Sequence, residues 1–463
     1  MELMKDVKRP DYNATEQRLA NLAALLSPYA SISILGINFT LSDLLILALF
    51  SMVVLHSPRV NQPFSHARRL GPWLYTGWWL IAVGYLLSAL MVQPANASAT
   101  FLLILQFGFV IVILPFTLIR ARIDYLEILR WYLIGLATSI AIGYLIQQLI
   151  PGLFEQMLDD ATLLGGPRRF GAFLGSNALG KTIAVAIPIL IFLYVLRRIA
   201  AASMAVALFI LLAGSFLAAS NAGFILSGLA LIGSLTIVFV RPASRKVKSV
   251  LLVALVAVVS ILTRGGWFTT ETLQARVVAP LLGGDLEEVG SYALKEELMQ
   301  TAWTLIGENP LTGISAGEFV RTHGNGITVH NSYLLTWVEG GILALIGLLV
   351  VFTGFLISVL GAGPRGASGV PMWLANLSIV LTLAGMWTGN QPYQRYRFLP
   401  LIAMALYFLS QMDARDNRAD ALRLHKTKSR AAPPRRPVTD GAFEDGSQTG
   451  INSRLRTERR EAE

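Results

Sequence analysis

The chain has 463 residues, of which 54% are hydrophobic and only 14% charged. That balance excludes an ordinary soluble globule and describes a protein that crosses a membrane many times. The absence of cysteine excludes disulfides and thiolate metal sites. The five histidines are scattered, which argues against a zinc centre built from them alone. The net charge of +10 collects in short loops and the tail, a pattern of membrane topology and not of a nucleic-acid surface.

Residues 1–18 are charged and read as a cytoplasmic N-terminus, with no cleavable signal after them. The expected membrane domain is 19–412. Its spans run Leu19 to Ile37, Leu41 to Leu55, Pro72 to Val92, Ala99 to Ile119, Tyr125 to Ile150 and Ala178 to Leu196, then Ala201 to Ala219, Ala222 to Val240, Ser249 to Leu262, Leu334 to Leu360, Pro371 to Gly389 and Phe398 to Met412. The main runs approach the ~20 apolar residues that a bilayer requires. Backbone groups in lipid must be satisfied within the segment, so the expected fold is all-α: a polytopic membrane protein of about twelve transmembrane helices. Lys and Arg gather in alternate loops, which puts both termini in the cytoplasm and the long loop 263–333, before the tenth span, outside. Residues 413–463 mix Arg and Lys with Asp, Glu, Pro and Gly and lack apolar periodicity. They read as a disordered basic cytoplasmic tail.

Three outward patches bear chemistry. The first is Arg168-Arg169-Phe170-Gly171-Ala172-Phe173, a turn that leads into a helix carrying Lys181. A lysine within a span either snorkels to the interface or meets an anion. Arg169 and Lys181 over a helix N-terminus would suit a phosphate.

The second patch is an amphipathic helix, Ser291 to Ile306, with Leu294, Leu298, Ala302 and Leu305 on one side. Gly307-Glu308-Asn309-Pro310 stops it.

The third patch is His330-Asn331-Ser332-Tyr333-Leu334, at the mouth of a long apolar run. The positive end of that helix's dipole disfavours an imidazolium, so His330 is expected to stay neutral and able to accept a proton. The simpler role for it is an interfacial N-cap. Glu339, about two turns into the run, needs a partner, and a hydrogen bond to a neighbouring helix is the plainest one.

These motifs, in order, resemble the O-antigen ligase and polymerase superfamily. The residues that carry the resemblance are Arg168-x-Phe170-Gly171-x-Phe173 through Asn177-Ala178-Leu179, Asn309-Pro310-Leu311-x-Gly313, and His330-Asn331-Ser332-Tyr333-Leu334 with Glu339-Gly340-Gly341. The resemblance spans about Leu41 to Met412. It implies a C-type, multi-helix glycosyltransferase of the bacterial inner membrane that uses neither metal nor cofactor.

Such a protein moves a glycan from undecaprenyl pyrophosphate, on the outer face, to lipid A core (a ligase) or to another lipid-linked glycan (a polymerase). The family histidine acts on the acceptor hydroxyl, which gives catalysis to His330. Family arginines hold the pyrophosphate, and Arg169 matches one of them. The sequence departs at two places: Ser220-Asn221-Ala222 stands where many ligases have Ser-Arg-Gly, and Lys295 stands in place of an arginine. Lys181, Arg276 and Arg321 are candidates to compensate. Partners implied are the lipid-linked glycan, the acceptor, membrane lipid and envelope polysaccharide assembly proteins. The rival reading is a lipid-linked glycan flippase, although no internal repeat is visible.

Overall fold

The computed structural model describes residues 13–29, 32–34, 37–56, 67–94, 97–121, 123–150, 170–240, 292–323, 326–361, 369–389 and 395–431, with a few positions between 245 and 253. Its contacts divide the chain into two units, Met1–Ala414 and Arg415–Glu463. Within the described residues the chain is helical apart from one hairpin.

In chain order the elements are α1 (Ala14–Leu26), β1 (Ile32–Ile34), β2 (Ile37–Phe39), α2 (Leu41–His56), α3 (Ala67–Val92), α4 (Ala97–Gly108), α5 (Leu114–Arg120) and α6 (Tyr125–Leu149). Then follow α7 (Ser176–Val195), α8 (Ala201–Ala218), α9 (Asn221–Val240), α10 (Tyr292–Glu308), α11 (Ser332–Gly361), α12 (Gly369–Trp387) and α13 (Arg395–Ala431). A π-helical turn, Phe109–Ile113, joins α4 to α5 in one continuous rod.

Among the described residues, eight helices are long and apolar enough to cross a membrane. They coincide with eight of the expected spans. This makes the chain a multi-pass membrane protein.

The remaining expectations fare differently. The span expected at Leu19 to Ile37 is instead a short helix and a hairpin. Asn13 caps α1 by accepting from the Thr15 and Glu16 amides, and the helix ends at Leu26, just before Pro28. Thirteen residues rise only about 20 Å, too little for a ~30 Å hydrocarbon core. The antiparallel pairing Ile32 with Phe39 and Ile34 with Ile37 then turns the chain into α2, which is apolar but short. The span at Ser249 to Leu262 lies almost wholly outside the described residues. The twelfth forms the start of α13. That helix continues to Ala431, so the first part of the tail expected to lack order is helical.

The bundle's closest seam joins α3 to α11. Gly77 and Gly84 lie seven residues apart on one helix, and Gly340, Gly347 and Gly354 keep the same spacing on the other. A methyl on Gly84 would stand 2.6 Å from the Gly340 carbonyl, one on Gly347 would stand 2.5 Å from the Gly77 carbonyl, and one on Gly354 would meet Trp73. The order of contacts is antiparallel. In lipid there is little hydrophobic drive between helices, so backbone approach over small residues takes over. Gly180 on α7 and Gly223 on α9 meet in the same way, with a methyl on Gly223 only 2.6 Å from the Gly180 Cα. Helix α7 is buried along almost its whole length, which makes it the central post.

Helix α11 breaks at Gly341, whose φ of 70° and ψ of −178° are open essentially to glycine alone. The segment after α10 fills the break. Ile314 N donates to Val338 O at 2.7 Å, Ser315 N to Glu339 O at 3.0 Å, and Ile342 N to Pro310 O at 3.2 Å. Trp337 Nε1 donates to the Pro310 carbonyl at 2.9 Å. The carbonyls and amides freed by the break are thus re-paired, as backbone at membrane depth demands.

Candidate functional site

The site forms at the entry to α11. Asn331 is fully buried, and its Oδ1 accepts from the amides of Tyr333 at 3.0 Å and Leu334 at 3.2 Å. Asn331 is therefore the cap of the helix, and His330, one residue earlier, is not used for that purpose. Ser332 Oγ donates to the Gly389 carbonyl at 2.8 Å, and the Tyr333 hydroxyl donates to Leu383 O at 2.9 Å. These bonds tie the His330 segment to the end of α12.

His330 itself is half-buried. Burial, reinforced by the positive charges of Lys295 and Lys181, pulls its pKa down to about 4. The ring is therefore neutral at physiological pH. Neutrality was expected from the helix dipole, but burial and two lysines are the causes found here.

Lys181 lies in the first turns of α7 and is 6% exposed. It does not snorkel outward: its Nζ donates to the Thr388 carbonyl at the end of α12. Arg397, in the first turn of α13, is equally buried at 7%. Its guanidinium lies against Gly389, where a methyl would meet Nη1 at 3.3 Å, and 5.7 Å from the Tyr396 ring centre. Lys181 and Arg397 flank a cavity of about 10 Å³ that Tyr132, Thr182 and Thr382 also line. Lys295, half-buried on α10, acts on both Lys181 and His330. The α12 terminus is a natural seat for cations, because the carbonyls that end a helix carry its negative pole.

Helix α10 ends where expected. Its apolar face, Leu298, Ala302 and Leu305, packs on Phe319, Val329, Leu334 and Val338, while Leu294 remains exposed. An apolar groove of about 640 Å³ opens beside it, lined by Trp303, Tyr333, Leu334, Trp337, Leu383 and Trp387 among others. Its lining includes Tyr333 and Leu334, in the turn of α11 that follows His330 and Asn331.

The other expected residues divide. Arg321 is exposed and bound to Glu318 through Nε at 2.9 Å and through Nη2, and this pairing raises its pKa further. Its charge is thus paired locally, whereas the cations that act most on His330 are Lys295 and Lys181. Arg169 and Arg276 lie outside the described residues. Phe170, the neighbour of Arg169, is buried beside Tyr144, with ring centres 6.3 Å apart. The departing turn at Ser220 forms a helix cap, since Gly223 N donates to Ser220 Oγ at 3.3 Å. Ser220 Oγ in turn donates to Asn177 Oδ1 at 3.2 Å. Glu339 is buried, and its Oε1 accepts from the Gly317 amide at 3.0 Å. That bond binds the Gly313–Glu318 turn to α11.

Arg397 was not singled out from the sequence. The signal was an arginine one residue before the apolar run that starts at Phe398.

The fold and site together define a polytopic helical membrane protein with a neutral histidine among buried cations, next to an apolar groove. Residues 206–349 match the family model of the O-antigen ligase domain, Wzy_C. The matched stretch contains the α10 region, the docked Asn309–Gly313 segment and His330, and it supports the O-antigen ligase and polymerase superfamily that the motifs resembled. No curated protein matches the chain.

Proposed function

We propose that this chain is a glycosyltransferase that moves a glycan from undecaprenyl pyrophosphate to an acceptor hydroxyl at the outer face of the bacterial inner membrane, with both termini cytoplasmic. The observation that carries the reading is the neutral His330 within the field of Lys181 and Lys295. A neutral imidazole can accept a proton, and fixed cations stabilise a leaving diphosphate as charge develops on it.

In this reaction the acceptor oxygen attacks the anomeric carbon while His330 takes the hydroxyl proton. The bond from that carbon to the diphosphate oxygen breaks, and the electron pair leaves with the diphosphate. Attack opposite the leaving group inverts the anomeric centre. Lys181 and Lys295 face the diphosphate, and Arg169 and Arg276 are candidates to complete the clamp. The isoprenoid tail suits the groove lined by Trp303, Trp337 and Trp387, because a long apolar chain needs a continuous apolar surface. The replacement of arginine by Lys295 and by Asn221 favours a polysaccharide polymerase over a lipid A-core ligase, since lysine binds phosphate as a point charge without a bidentate fork.

The test is His330→Ala in membranes supplied with lipid-diphosphate-linked glycan. Loss of a positioned base is expected to lower turnover on the order of 10²–10⁴-fold while donor binding persists. Unchanged turnover defeats the proposal. A flippase would lose transport and show no transfer product in either form. A deletion strain sorts the two enzymes: single-repeat glycans indicate a polymerase, and uncapped core with full polymer on the carrier indicates a ligase.

A further inference from the structure

We infer that Glu339 is a positioning residue: by fastening the Gly313–Glu318 turn to α11 it fixes the tilt of α10, and so the place of Lys295 relative to His330. The catalytic meaning of this rests on the proposed role of His330 as the base. Glu339 grips the turn twice. Its backbone carbonyl accepts from Ser315 N at 3.0 Å, and its Oε1 accepts from Gly317 N at 3.0 Å. Two further helices join at the same point. Ser88 of α3 donates its hydroxyl to the Glu339 carbonyl at 2.8 Å and accepts from Ser315 N at 2.7 Å, and Thr100 of α4 lies 3.2 Å from the Ser315 hydroxyl. Ser88, Thr100, Ser315 and Glu339 are all buried. An ionisable side chain at that depth is costly and marks a working role.

The turn needs these anchors. Ser315 has a φ of 78°, a conformation that L side chains avoid and that persists only while its surroundings hold it. The turn follows the C-terminal end of α10, and Lys295 stands near the other end, 13 residues before Glu308. That distance is a lever of about 20 Å, so a tilt of about 10° at the turn moves the far end by about 3.5 Å. The apolar contacts of α10 with Val329 and Leu334 are non-directional and set no angle, whereas the hydrogen bonds of the turn do. The charged groups in play are Lys295 from α10 and Lys181 from α7, both acting on His330, Arg397 from α13, acting on Lys181, and the pair Glu318 and Arg321 at the end of the turn. Of these, Lys295 is the one carried by the lever.

The experiment titrates the His330 ring by nuclear magnetic resonance in the full chain, histidine-labelled and held in detergent, with His330→Gln identifying its signal. The wild-type ring is expected to titrate near 4. Glu339→Ala should raise that midpoint by about one pH unit, the scale of one charge withdrawn across a helix width. Glu339→Gln keeps an oxygen to accept from Gly317 and should leave the midpoint in place. In a Lys295→Gln background Glu339→Ala should add no further rise, because the charge whose place it governs is gone. An unmoved midpoint in a folded Glu339→Ala, or an equal rise with and without Lys295, overturns the inference. If Glu339→Ala does not fold, Ser88→Ala decides: it removes only the hydroxyl shared by the turn and α11, and a rise supports the role while no change overturns it. The readout needs no turnover. Full turnover in His330→Ala would defeat the proposed function, and the midpoints would still judge Glu339.

Discussion

Gly313 and Gly341, each with φ of 70°, lie face to face: a methyl on Gly313 would stand 2.7 Å from the Gly341 amide nitrogen. The docked loop and the broken helix thus meet through two glycines. Gly341→Ala would drive its methyl onto the Leu311 carbonyl and force an alanine into a glycine-only conformation. The backbone strain alone is about 1–3 kcal/mol, and the clash adds to it. Thermal unfolding in detergent should show the loss. An unchanged midpoint would mean that the loop does not sit on the break.

The charges around His330 predict a split between two pH profiles. In the free protein the ring titrates near 4, so the acid limb of kcat/KM should fall there. A bound diphosphate offsets Lys181 and Lys295, so the acid limb of kcat, which reports the loaded complex, should lie at higher pH. Lys295→Gln removes one repulsion and should move the kcat/KM limb upward, toward the ordinary histidine value of about 6.5. Coincident limbs in the wild type would rule out the electrostatic coupling. The folded pKa lies below the unfolded one, so this group's stabilising contribution is complete above about 6.5 and is lost as pH falls through about 4.

The seam of α3 and α11 predicts steric intolerance. Gly84→Val places branched carbons against the Gly340 carbonyl and Ala344. Overpacking of this kind costs about 1–3 kcal/mol or more, and membrane insertion followed by detergent stability would reveal it. Gly228, where a methyl meets nothing within 4 Å, is the control: Gly228→Ala should be neutral or slightly stabilising.

Arg321 should prove dispensable for chemistry. It is exposed and already paired with Glu318, so Arg321→Ala is expected to lower turnover by less than about tenfold, the scale of an exposed pair. Lys181→Ala, which strips a buried cation, should cost far more. Equal losses in the two variants would return Arg321 to the anion site.

The membrane spans were legible because runs such as Leu334 to Leu360 leave no alternative in lipid. Leu19 to Ile37 misled because its mean apolarity concealed Pro28, which ends a helix too short to cross. His330 drew notice by residue type, since few side chains can accept a proton at neutral pH. Its environment was only half legible. The lysines that act on it lie 35 and 149 residues away in sequence, and tertiary packing alone brings them near. Glu339 declared that it needed a partner but not which one, because the Gly317 amide carries no residue signature. For the same reason Thr388 and Gly389 were invisible: they contribute carbonyls, and every residue has one.

The bond from Lys181 to Thr388 has a consequence for a site that must empty after each round. A backbone oxygen accepts one of the ammonium's hydrogens, and this bond fixes where the cation points. On the proposed reading, release of the spent carrier requires no rearrangement of its grip. The protein's own chain keeps the charge in place between successive donors, and less ordering remains to be done when the next one arrives.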